Sequence, residues 1–184
     1  SESARKDLKD WVRSGGTLIG TESAGAWLSK EQSGISSAEL FEPKKDKESD
    51  KIKASAYTTY ANRSDSSGLK RIPGSAFKAI VDNTHPLAFG MTDKLYSLKF
   101  STNGLKPNDS FSTVGYYVKD GEPVLASGYA SQENQRNAAG MAFAAVQNVG
   151  RGKVVHLLDN TQYRMFWVGP SRMMQNAVML LSGF

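Results

Sequence analysis

The sequence predicts one mixed α/β domain, and three observations carry that prediction. A short apolar run, Thr17-Leu18-Ile19-Gly20, passes at once through Thr21-Glu22-Ser23-Ala24-Gly25 into a helix-like stretch, which reads as a strand turning sharply into a helix. Ahead of it, Leu8, Trp11 and Val12 recur at spacings of three and four, the signature of one helical face. Toward the C-terminus, apolar stretches separated by Gly-containing turns predict antiparallel hairpins.

The bulk composition bounds the function classes. The 184 residues are enough to bury a core, and 39% hydrophobic with 22% charged residues is ordinary for a globular protein. No apolar run approaches the roughly 20 residues needed to cross a bilayer, and no signal-peptide pattern opens the chain. Ser1 in place of an initiator Met leads us to expect a fragment or a processed product. The absence of Cys excludes disulfides, thiolate ligands and a cysteine nucleophile. Net charge is +5, but the densest cluster, residues 44–53, mixes both signs and has no interleaved aromatics to stack on bases. We therefore expect neither a nucleic-acid nor a membrane partner.

In chain order, Ser3 caps a helix running to about Ser14, and Gly15-Gly16 ends it. Thr17 to Gly20 is a buried strand, and Ala24 to Leu28 begins the next helix. Residues 29–68 read as a charged, loop-rich insertion with apolar anchors at Ile35, Leu40, Phe41, Tyr57 and Tyr60. Ala76 to Val81 alternates as a strand after Ile72-Pro73-Gly74, and a second strand lies near Leu95 to Phe100. Phe111–Val118 and Pro123–Tyr129 flank Asp120-Gly121 and are predicted to pair as a hairpin. A second hairpin is predicted between Gly140–Val149 and Lys153–Leu158 across Gly150-Arg151-Gly152. Pro170 to Leu181 closes the chain as a helix, with Met173, Met174, Ala177, Val178 and Leu181 toward the core.

Three blocks, in order, carry a family resemblance. They are residues 8–21 (Leu8 to Thr21); Ile72-Pro73-Gly74-Ser75-Ala76-Phe77 with Asp82 and Thr84 to Gly90; and Gly150 to His156 with Asp159-Asn160, Arg164, Phe166-Trp167 and Asn176-Ala177. On these residues the chain resembles the C-terminal class I glutamine amidotransferase-like domain attached to bacterial zinc carboxypeptidases of the carboxypeptidase A type. The resemblance implies a three-layer, flavodoxin-like α/β sandwich around a largely parallel sheet, with its first strands encoded before Ser1. It also implies a secreted or periplasmic protein whose zinc belongs to an upstream peptidase domain, so that this chain itself holds no cofactor. The expected partners are that peptidase domain or the preceding strands of the same domain. A second copy of the chain could also cover the Thr17–Gly20 strand.

The turn after that strand is where chemistry would sit. In the amidotransferase pattern Gly-x-Cys-x-Gly, Gly20-Thr21-Glu22-Ser23-Ala24 puts Glu22 in the nucleophile's place, where a carboxylate is a poor acyl acceptor and would repel an oxyanion. The competing register, Thr21-Glu22-Ser23-Ala24-Gly25, is close to a carboxylesterase elbow with Ser23 as nucleophile. Asp120 or Asp109 followed by His156 would complete a triad in hydrolase order, although Thr21 replaces the elbow's first glycine and His156 falls inside a strand. Asp159, Asn160 and Arg164 follow the carboxyl end of their strand and either line a degenerate pocket with Glu22 or brace a loop. Such a pocket would take a small ligand, for instance a peptide terminus. With two His residues, no metal-ligand spacing emerges: His156 and Asp159 face opposite sides of a strand, and His85 reads as a turn-fixing residue.

Overall fold

The computed structural model describes residues 2–41, 68–119, 121–165 and 167–181. The charged cluster of residues 44–53, Tyr57, Tyr60, Asp120 and Phe166 lie outside them. Helix α1 (Glu2–Arg13) leads into β1 (Thr17–Thr21) and α2 (Glu22–Leu28), in the expected order. Then follow β2 (Ser75–Val81), β3 (Lys94–Lys99), β4 (Ser112–Tyr117), β5 (Leu125–Ser127), α3 (Gln132–Ala138), β6 (Ala142–Val149), β7 (Gly152–Leu157) and α4 (Val168–Met179). Among the described residues these strands form one sheet, ordered β1-β7-β6-β4-β2-β3, with β5 also paired to β2.

The sheet is mostly antiparallel rather than largely parallel. β1 and β7 run parallel, Thr17 beside Lys153 and Gly20 beside His156, while every other described pairing is antiparallel. A short connection accounts for the β6–β7 pair alone, which Gly150 and Arg151 join as a tight turn that only an antiparallel pair allows. The β6–β7 hairpin forms as predicted across Gly150-Arg151-Gly152. The other predicted hairpin does not: β4 and β5 both form, but each pairs with β2, β4 at residues 79–81 and β5 at residues 76–77.

Both faces of the proximal half of the sheet are packed. Alternation along β7 sends Val155 and Leu157 into a cluster with Met173, Ala177 and Leu181 around α4. Val154 goes the other way, to Val12, Leu28 and Ile35 under α1 and α2. This is the helix–sheet–helix layering expected of the class. Part of the segment expected to be a solvated insertion joins it, because Ser33, Ile35 and Ala38 are buried. In α4, Met173 and Ala177 face the core as predicted, whereas Val178 is 58% exposed.

The pairing directions also fix where a site can open. β1, β7, β4 and β3 all run the same way, so their carboxyl ends share one edge of the sheet. Glu22, Asp159, Tyr117 and Lys99 stand at or just beyond those ends.

Candidate functional site

The bend after β1 has the backbone of an elbow. Glu22, the first residue of α2, has φ of 47°, a left-handed conformation that L side chains rarely adopt. Two glycines permit the tight approach of α2 to β1. A Cβ on Gly20 would lie 2.9 Å from the Gly25 Cα, and one on Gly25 would lie 2.7 Å from the Gly20 carbonyl oxygen. The apex residue is therefore Glu22, two places after Gly20, and its side chain is exposed. Ser23 follows in the first turn of α2 and is also exposed. Neither side chain makes a hydrogen bond or ion pair among the described residues.

The imidazole of His156 is fully buried and already engaged. Its Nδ1 lies 3.0 Å from the Gly25 carbonyl oxygen, which can only accept, so the network assigns the proton to Nδ1. Nε2 lies 2.9 Å from Ser36 Oγ, whose hydroxyl also reaches Gln147 Oε1 at 2.8 Å. Burial holds the imidazole below its ordinary range, against the opposing pull of the Gly25 carbonyl. A fully buried ring engaged at both nitrogens secures α2 and the segment at Ser36 to β7 and is closed to an incoming hydroxyl.

Asp159 sits at the centre of a buried polar cluster. Its Oδ2 accepts from Tyr117 OH at 2.5 Å and from Ser97 Oγ at 2.6 Å, while the Lys99 ammonium lies 3.4 Å from Oδ1. Lys99 also donates to the Asn103 carbonyl at 2.5 Å and to Tyr117 OH at 3.0 Å. Burial lowers the Lys99 pKa despite the neighbouring carboxylate, and burial followed by the charge of Asp159 pushes the Tyr117 phenol well up. The cluster is charged, satisfied and closed to solvent, with the Lys99 and Asp159 side chains 1% and 0% exposed. Sequence reasoning singled out Asp159 but missed Lys99, Tyr117 and Ser97. The available signal was the alternation of β3, which puts Ser97 and Lys99 on the face of Leu95.

The remaining candidates do not converge on one pocket. Asn160 Oδ1 accepts from the Gln162 backbone N–H at 3.1 Å, an Asx turn that braces its own loop. Arg164 is exposed, with φ of 50°, and its guanidinium lies 5.1 Å from the ring centre of Tyr163. No hydrogen bond or ion pair joins Arg164 to Glu22 among the described residues. His85 Nδ1 accepts from Leu87 N–H at 3.0 Å and fixes the turn at Pro86–Ala88, as expected. Among the described residues no group of three His, Cys, Asp or Glu side chains is placed to hold a metal ion. No described helix is long and apolar enough to cross a membrane.

No family model matches the chain, and no curated protein matches it. Among solved structures it is similar to the cytoplasmic protein STM3548 from Salmonella typhimurium, at 14% identity and a TM-score of 0.52. That likeness covers 97% of this chain and 60% of that one. A protein from Bacteroides uniformis described as ThuA-like is also similar, at 10% identity and a TM-score of 0.47, over 97% of this chain and 63% of that one. The chain thus spans about three fifths of the length of these neighbours. The first likeness establishes the fold alone, and the fold is the amidotransferase-like α/β class expected from the sequence.

Proposed function

We propose that the chain is a non-catalytic accessory module: an amidotransferase-like domain whose elbow carries a carboxylate, and which supports or positions an upstream zinc carboxypeptidase domain in a secreted or periplasmic protein. The observation that carries the first half of this reading is Glu22 at the left-handed apex. A residue there would meet a substrate first, and a glutamate neither accepts an acyl group readily nor tolerates a developing oxyanion. The second half rests on the three-block resemblance. The zinc of such a peptidase would be bound upstream, by residues outside this chain. β1 ends the described sheet with Leu18 and Ile19 only half-buried, which suits an edge that preceding strands of the same domain, or a second copy, extend.

A second reading, a serine hydrolase using Ser23, is favoured by the exposure of that hydroxyl beside the elbow. A fluorophosphonate probe distinguishes the two. We expect no labelling; labelling that vanishes in Ser23→Ala would replace the accessory reading with the hydrolase. Parentage is tested separately by the polypeptide preceding residue 1. A His with a Glu three residues later is expected there, and a preceding region without zinc ligands removes the peptidase.

A further inference from the structure

One stretch of the sheet has a face that no described element covers. Across β2, the residues Phe77, Ala79 and Val81 are buried, while Lys78 and Ile80 alternate to the other side and remain half-exposed. The register sets Tyr96 opposite Lys78, and both Lys94 and Tyr116 opposite Ile80. Directly opposed residues share a face. These side chains, with Lys119 and Glu122 beyond the end of β4, line a groove of about 420 Å³, within the range of small-molecule sites.

The groove's chemistry narrows its occupant. Tyr96 and Tyr116 rise from the strands flanking β2 at diagonal positions, Tyr96 beside Lys78 and Tyr116 beside Ile80, with Ile80 as the apolar part of the floor. A flat ring lying on that floor can pack against the Tyr96 side chain. Three ammonium groups face one carboxylate, and Glu122 pairs with Lys78 at 3.1 Å. Lys94 and Lys119 keep their charge uncompensated among the described residues.

We propose that this groove binds a small organic anion, its flat ring on the Ile80 floor against Tyr96 and its carboxylate or phosphate on the Lys94 ammonium, with Lys119 adding to the positive field. The site stands apart from the elbow and does not depend on how the elbow is read.

The test is calorimetric titration of the full chain with naphthoate, its neutral analogue naphthalenemethanol, and inorganic phosphate. Saturable naphthoate binding is expected, at least roughly tenfold tighter than the alcohol and weakened by added salt. Lys94→Glu and Tyr96→Ala, both at exposed positions where the fold tolerates change, should each weaken it roughly tenfold. Arg151→Glu, on the distant β6–β7 hairpin, should leave it unchanged. No saturable binding, equal affinity for acid and alcohol, inorganic phosphate binding as tightly as naphthoate, or indifference to both groove variants would each overturn the proposal.

Discussion

The elbow at Glu22 and the cluster around Asp159 lie at the same edge of the sheet, yet they divide what an active site needs to hold together. The elbow has access and backbone strain but no reactive partner: Glu22 is exposed at φ of 47°, and the nearby imidazole is spent on Gly25 and Ser36. The Asp159 cluster has perturbed groups and short hydrogen bonds but no access, since its ammonium and carboxylate are 1% and 0% exposed. Strain without a neighbour marks retained shape, and shifted pKa values without solvent mark structural charge.

The contrast can be broken hardest at the buried end. Asp159→Ala leaves the Lys99 ammonium without its counter-charge and should cost about 3–5 kcal/mol in urea unfolding. Replacing Lys99 by Met in the same chain should recover most of it. A single-variant loss below about 1 kcal/mol would mean the cluster is not structural. At the elbow, Gly25→Ala drives a Cβ toward the Gly20 carbonyl and should cost about 1–3 kcal/mol, because the clash is with backbone rather than a movable side chain.

Acid should act through the histidines. Burial lowers both His156 and His85, so the unfolded chain takes up protons first as pH drops through about 6.5. Stability is therefore greatest above that value, declines as pH falls through it, and levels off once the folded-state imidazoles also protonate. Thermal midpoints measured between about pH 7.5 and 5.5 should fall, and less steeply in His156→Gln. A flat profile in the parent protein would remove the neutral, buried assignment of His156.

The smallest effects sharpen the elbow itself. Glu22→Gly relieves the left-handed strain and should raise unfolding stability by about 0.5–1 kcal/mol. Ser23→Ala, on an exposed helical position, should stay within about 0.5 kcal/mol. A loss of stability in Glu22→Gly would show that the carboxylate has a partner that matters.

The parts of this architecture legible in the sequence were those with local signals. The Gly15-Gly16 stop, the apolar run to Gly20 and the Gly150-Arg151-Gly152 turn each announce their element within a few residues. The Asp120-Gly121 signal was equally local and misleading, because β2 offered both flanking strands a better partner than each other. The site was legible only in part. Glu22 could be placed at the bend from its distance to Gly20, but Lys99 fell unremarked inside the strand expected near Leu95 to Phe100. Its carboxylate partner comes 60 residues later in the chain, and no short-range pattern encodes a contact of that span.

The pairing of β1 with β7 also bears on how the molecule assembles. The imidazole that holds α2 meets Gly25 from 131 residues away, and the Thr17 hydroxyl bonds Leu181 across 164. During synthesis, α1, β1 and α2 are therefore without β7, the described sheet partner of β1, until the residues through Leu157 have left the ribosome. Closing so long a loop is slow, and an apolar strand held open for that interval is the segment on which a chaperone would have the most to protect.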